Sequence, residues 1–423
     1  MTTDATIGPV PPGSPAGLRR FAARSAHYLE RRARTVHLRL THGTPRVAVD
    51  AAAEQAEVLI YFPEAAQRLY QLTQWLPVME RVAATHRVAC VLRSPAAYAG
   101  VAPATALPLA LLQTYEDLMA FYERGRAKVI IYVNHGQLNF QSLTARTALH
   151  VHVNHGESDK RSSFSNQAKA YDRVFVAGEV AARRYLDNVL EFEERRLVTV
   201  GRPPLDFLPP PILPAVATPT VMYAPTWEGE SLDNDWSSIR TLGVPIVEQL
   251  LTTGARVLYK PHPRIALSPD PLVAAAHSTI LRMLAAGPPG AGHAALIAGD
   301  VLATFGSVDA LVTDISAVGL DYLFVRPEAP ILLTDVRHDP EALARATPLA
   351  AGADVVDAAN VNGLSELVAS RLATDARRSD RAAVHKAYFG DFVPDGESTA
   401  RFTAEIGALC TLRDELLADP VRV

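Results

Sequence analysis

Four short segments place imidazole, cationic and hydroxyl side chains beside glycine or proline, the mix that a phosphate-handling site needs. In His155-Gly156-Glu157-Ser158-Asp159-Lys160 the imidazole stands next to a residue with no side chain. Such a histidine can approach a ligand closely and take a proton from a hydroxyl near neutral pH. Lys160 would help to hold anionic oxygens. Read alone, the loop is equally an ordinary capping turn. Lys260-Pro261-His262-Pro263-Arg264 is stiffened by two prolines and projects three groups able to carry positive charge, which suits charge on a transferring phosphoryl group. Tyr223-Ala224-Pro225-Thr226-Trp227-Glu228 offers the Thr226 hydroxyl and the flat Trp227 ring, or simply core packing. Thr313-Asp314-Ile315-Ser316 runs into a helix that Ser316 would cap, with Asp321 following. Free amides at such a start favour the two phosphates of a nucleotide. No Walker loop, GxGxxG turn or GxSxG elbow occurs, and no metal-ligand spacing, so no metal site is expected.

Each of these loops follows a strand-like run. The runs at 58–62, 87–92, 128–133, 150–153 and 173–178, then 220–225, 256–261, 310–314 and 329–335, are rich in Val, Ile, Leu and Tyr. Helix-period segments fall between them, including Glu64–Thr85, 115–125, 181–190, 246–251 and 318–324. Strand and helix in alternation predict an α/β fold of parallel sheets covered on both faces, with ligands at the carboxyl ends of the strands. Seven of the 31 prolines lie between Pro203 and Pro219. A segment so poor in backbone donors reads as a connection between domains. The expected organisation is a disordered start and basic helix at 1–45, a Rossmann-like acceptor domain at 46–208, a linker at 209–219 and a Rossmann-like nucleotide domain at 220–423. His155 and His262 then end strands of different domains. One repeat stands out: Val133-Asn134-His135-Gly136 recurs as Val153-Asn154-His155-Gly156.

With 423 residues, 48% of them hydrophobic, the chain can bury two cores. A formal net charge of −4 argues against a general nucleic-acid binder. Two cysteines exclude a disulfide scaffold and suit a reducing cytoplasm. No run of about 18 apolar residues and no signal-peptide pattern is seen. Leu18–Leu40 has helical apolar spacing and a face rich in arginine, with Glu30 its one acid. It fits an anionic inner membrane surface, and equally a solvated helix packed on the first domain.

The segments NHGESDK (154–160), AYDRVFVAG (170–178), VGRPPLDFL (200–208), YAPTWEG (223–229), YKPHPR (259–264) and VTDISAVGLDYL (312–323) together resemble the CDP-glycerol glycerophosphotransferase family of teichoic-acid polymerases and primases. The resemblance implies a GT-B fold with an N-terminal helical extension. It also implies transfer of glycerol phosphate, or a related polyol phosphate, from a CDP-activated donor to a hydroxyl of a lipid-linked cell-wall or capsule polymer. CMP would be released, at the cytoplasmic face of the membrane, without an obligatory cofactor. His155 and Lys160 match the family's HG-x-x-x-K motif, His262 its K-P-H-P motif, and Thr313, Asp314, Ser316 and Asp321 its T-D-x-S helix start. As catalytic groups this points to His155 and His262. Lys160, Thr226, Lys260, Arg264, Thr313, Asp314, Ser316 and Asp321 are the expected donor and phosphate ligands. Glu228 stands where the family has arginine, and Ile315 and Ala317 replace a tyrosine and a serine. Two alternatives stay open: a GT-B enzyme using a nucleotide sugar, and a non-catalytic binder of nucleotide or polymer.

Overall fold

Runs such as Val58–Phe62, Val88–Leu92 and Val129–Tyr132 are hydrophobic at every position and buried at every position, as central strands covered on both faces must be. The computed structural model describes residues 47–229, 234–288 and 290–419, so the expected basic helix at Leu18–Leu40 lies outside the described residues. The first sheet has eight strands: β1 (Val47–Val49), β2 (Val58–Phe62), β3 (Val88–Leu92), β4 (Leu109–Leu112), β5 (Val129–Tyr132), β6 (Leu149–His152), β7 (Arg173–Val176) and β8 (Leu197–Thr199). Their order is β1-β4-β3-β2-β5-β6-β7-β8, parallel except where β1 meets β4. The second sheet holds β9 (Thr220–Ala224), β10 (Arg256–Tyr259), β11 (Ala294–Ala295), β12 (Ala310–Thr313), β13 (Ile331–Thr334) and β14 (Asp354–Val356). Its order is β11-β10-β9-β12-β13-β14, parallel throughout. In both sheets the strand order reverses near the middle, between β2 and β5 and between β9 and β12, so a crevice opens at the carboxyl edge.

Two departures from the sequence pattern matter for the site. The helix expected over Glu64–Thr85 is broken into a 3-10 turn at Ala66–Arg68 and helices at Tyr70–Thr73 and Leu76–Val82. Pro77, which can occupy a first turn but not a helix interior, sits at the start of the last piece. The break leaves Gln71, Gln74 and Trp75 pointing at the loop after β6.

The last helix, Glu397–Ala418, leaves the second sheet for the first, a return that the family resemblance implies although residue pattern alone groups 220–423 as one unit. Its Phe402, Ile406, Leu409 and Cys410 are buried in the core under β2, β3 and β5, and Trp75 packs on Phe402 with ring centroids 5.4 Å apart. Those side chains fill the face that the broken 64–85 segment leaves uncovered. The outward crossover, Pro203–Asp206, and this returning helix lie side by side: Asp206 accepts hydrogen bonds from the Thr399 amide (2.8 Å) and hydroxyl (2.6 Å).

Candidate functional site

His155 leaves β6 on a tight turn in which Asn154 takes a positive φ of 57° and its Oδ1 accepts the His155 amide at 2.9 Å. Asn is among the few non-glycine residues that adopt this conformation readily. The loop is strapped down by the broken helix. Trp75 donates its indole N–H to the Asn154 carbonyl at 2.9 Å, and Gln74 donates to the His155 carbonyl. The imidazole Nδ1 lies 3.1 Å from the Val133 carbonyl, an obligatory acceptor, so Nδ1 carries the proton and Nε2 the lone pair. Burial pushes this imidazole down to about 4, with Arg202 and Arg68 adding to the effect. It is therefore a neutral base at physiological pH.

His262 has the opposite polarity. The Arg264 amide donates to its Nδ1 at 3.2 Å, which places the proton of the neutral ring on Nε2. Its own amide donates to the Pro225 carbonyl at 3.1 Å and ties the loop after β10 to the loop after β9. Burial lowers this ring to about 3, and the nearby charges of Lys160, Arg264, His155 and Lys260 act in the same direction. Arg264 lies over Trp227, its guanidinium 3.9 Å from the ring centroid. The Lys260 ammonium reaches the Gly299 carbonyl at 3.1 Å, and its burial lowers its pKa. Glu228, the carboxylate in place of the family arginine, accepts from the Ser268 hydroxyl.

The two edges meet. Lys160 crosses from the first domain to donate to the Thr226 hydroxyl at 2.8 Å, both side chains buried. Burial brings Lys160 down to about 8, against the opposing pull of Asp314 and Asp235. A Cβ on Gly156 would lie 3.0 Å from the Ala317 Cβ. The His155 loop thus sits directly on the start of helix Ala317–Val325, where Ser316 is the N-cap residue and makes no side-chain cap. The Ser316 hydroxyl lies 3.4 Å from that of Thr313, and the helix start beside the Gly156 loop is a natural place for anionic oxygens.

Not every expected phosphate ligand is at this seam. Thr313 donates to the Ala224 carbonyl at 3.0 Å inside the second domain. Asp314 is fully buried and accepts from the Thr226 amide (2.7 Å), the Ser238 amide (3.2 Å) and the Thr334 hydroxyl (2.6 Å). Both oxygens are engaged, so it shapes the Thr226 loop from behind. Asp321 pairs with Arg202 of the crossover at 2.7 Å. Burial raises Asp321 to about 6, although Arg202 opposes this. It fastens the helix to the crossover rather than reaching the seam. Sequence reasoning missed Gln71, Gln74, Trp75 and Arg202. Only Arg202 carried a signal, its place in the VGRPPLDFL segment. Among the described residues no group of three or more His, Cys, Asp or Glu side chains is placed to hold a metal ion, and no helix is long and apolar enough to cross a membrane.

Two Rossmann-like sheets that meet at their carboxyl edges, one bringing a neutral imidazole and the other a cationic loop and an open helix start, define a transferase of the GT-B class. The chain belongs to the CDP-glycerol:poly(glycerophosphate) glycerophosphotransferase family, whose model matches residues 109–333, more than half of the 423. The fold is shared with the wall teichoic acid polymerase TagF, at TM-score 0.56 and 13% identity over 86% of this chain and 91% of that one. A TagF variant soaked with CDPG gives TM-score 0.56, 13% identity and coverage of 86% and 92%. A Staphylococcus aureus MnaA–UDP structure gives TM-score 0.53 at 14% identity over 85% of this chain and 98% of that one. No curated protein matches the chain.

Proposed function

We propose that this protein transfers glycerol phosphate, or a related polyol phosphate, from a CDP-activated donor to a hydroxyl of a lipid-linked cell-wall or capsule polymer at the inner membrane face. The acceptor oxygen attacks the phosphorus that carries the polyol, and its proton passes to His155 Nε2. The bond from that phosphorus to the bridging oxygen breaks, and CMP leaves with the bonding pair. His262, through Nε2–H, hydrogen-bonds the departing phosphate. Lys260, Arg264, Ser316 and the helix-start amides carry the remaining charge, so no metal is obligatory in this reading. Lys160 and Thr226 hold the two domains at the reacting distance.

The observation that carries the reading is the complementary protonation of two histidines from different sheets. One offers a lone pair at Nε2, and the other a proton. Purified protein given CDP-glycerol and a polyol-phosphate primer is expected to release CMP. His155→Ala and His262→Ala should each lower turnover by about 10²–10⁴-fold, with circular dichroism unchanged. Near-normal turnover in either variant removes that residue's role. Turnover with UDP-sugars and none with CDP-glycerol would make the protein a sugar transferase on the same fold.

A further inference from the structure

The repeat Val133-Asn134-His135-Gly136 and Val153-Asn154-His155-Gly156 ends two adjacent parallel strands, β5 and β6. The proposed transfer uses the second copy and gives the first no task. We propose that the first copy acts on the second: Asn134, through Gln71, holds His155 in the tautomer that leaves Nε2 free as the base. This rests on His155 being that base.

The argument is one of hydrogen-bond polarity, fixed at both ends by backbone groups that cannot reverse. At one end the Gly136 amide, a donor only, reaches Asn134 Oδ1 at 2.9 Å. That makes the other side-chain atom of Asn134 its NH2 group, which donates to Gln71 Oε1 at 2.8 Å. Gln71 must then turn its own NH2 group toward His155, where Nε2 lies 3.4 Å away. Nε2 therefore accepts, and the ring proton sits on Nδ1. At the other end the Val133 carbonyl, an acceptor only, takes that proton at 3.1 Å. Both anchors, Val133 O and Gly136 N, belong to the first copy. The copy thus closes a loop of fixed polarity around the imidazole. Gln71 and Asn134 are buried, so water does not compete for either amide.

Which ring nitrogen holds the proton is set by the hydrogen bond that the other makes. Many catalytic histidines are oriented by a carboxylate. Here the charged side chains that bear on His155 are the cations Arg202 and Arg68. Around it also lie Tyr70, with its ring edge-on at 6.0 Å, and His135, His152 and His262, on which His155 acts electrostatically. An amide relay is the orienting device that remains, and it sets the tautomer without adding negative charge that would raise the base. The 3.4 Å contact is long, so an entering acceptor hydroxyl can displace the Gln71 amide from Nε2. Gln71 and Asn134 are positioning residues in this scheme.

The test uses full-length protein labelled with ¹⁵N-histidine, with the ring-nitrogen shifts of His155 read beside steady-state kinetics. In the parent protein Nδ1 should be protonated. Gln71→Glu replaces the donor by an acceptor and should put a proton on Nε2 while the Val133 carbonyl keeps the one on Nδ1, so that both ring nitrogens read as protonated and the free lone pair is lost, with kcat down by about 10²-fold or more, since a ring held with the wrong proton arrangement can cost about 10⁴-fold, and donor KM little changed. Asn134→Asp, which lets the Gln71 amide turn over, should act the same way. The milder Gln71→Met should give a mixed tautomer and a smaller loss if either of the others folds poorly. In a His155→Ala background, Gln71→Glu should cost nothing further. An Nε2 that stays unprotonated in both Gln71→Glu and Asn134→Asp, or an equal loss in the His155→Ala background, would overturn the relay. Full activity of His155→Ala alone would instead overturn the base assignment, and the tautomer measurement would still report on the relay.

Discussion

Lys160 pays a desolvation cost to stand where it does. Its ammonium is buried, its pKa is drawn down to about 8, and its hydrogen bond goes to an uncharged hydroxyl, Thr226. At pH 7 the group is still charged, below both its folded value and the ordinary value near 10.5. Burial therefore opposes folding there, and removing the charge should relieve that cost. Lys160→Met keeps the aliphatic length. The expected result is a melting temperature equal to or above that of the parent, with CMP release down by tenfold or more, about the loss that one preorganised charge contact represents. Calorimetry and the donor assay on the same preparation decide it. A fall in melting temperature together with activity would make Lys160 a structural strut instead. Arg202 and Asp321 are the contrasting case, a buried, doubly hydrogen-bonded pair whose half-removal strands a charge and destabilises.

At the scale of elements, two of the strands that carry the chemistry are plain in the sequence because their Val and Leu residues run up to a loop that holds Gly or Pro. β6 into Asn154-His155-Gly156 and β10 into Lys260-Pro261-His262 are of this kind. The strands that the pattern missed, β1, β4, β8, β11 and β14, are short. Four of them, β1, β8, β11 and β14, are the edge strands of the two sheets, and β4, next to an edge, is Leu-Ala-Leu-Leu without a β-branched residue. Gln71 was hidden for a different reason. The apolar spacing of 64–85 suits one helix, although Pro77 fixes where its last piece starts, and the last helix packs on Trp75 at that break. The family resemblance groups Asp321 with Ser316. Helical geometry carries it a turn deeper, to an arginine 119 residues away in sequence. The Gly156 loop meets the Ala317 helix start with no room for a side chain between them. An alanine at 156 would put two methyl carbons 3.0 Å apart, inside van der Waals contact, and push the base from the donor site. A misplacement of about 1 Å can cost about 10²-fold. Gly156→Ala should therefore lose at least tenfold in kcat with its fold intact, and adding Ala317→Gly should recover most of that loss. If the double variant is no better than the single, the close approach does not set the reacting distance.

Across the whole molecule, the two domains are held by Lys160 to Thr226, by Asp159 to Thr347 at 2.5 Å, and by Arg202 to Asp321, with two parallel crossovers behind them. Histidines gather near this seam, and burial holds them neutral. His135 and His155 are pushed down to about 4 and His262 to about 3, while His150 and His152 are also lowered. An unfolded histidine titrates near 6.5. Between about pH 6.5 and pH 4 the unfolded chain therefore binds more protons through these residues than the folded one, so stability rises with pH across that window and is lost as pH falls. Buried carboxylates act in the opposite sense. Asp321, raised to about 6, holds a proton in the folded state that the unfolded chain has released, and Asp159 and Asp314 are raised as well. The histidines with the largest displacements outnumber the one carboxylate raised that far, so the net slope is set by histidine. The melting temperature should be flat from pH 8 to 7 and then fall by several degrees between pH 6.5 and 4.5. His152 is fully buried and stacks on His135 at 4.0 Å, so His152→Phe, which keeps an aromatic ring but cannot titrate, should flatten the lower part of that fall. A melting temperature that holds level from pH 7 to pH 5, or an unaltered slope in His152→Phe, would mean that these rings take up protons without unfolding the seam they line.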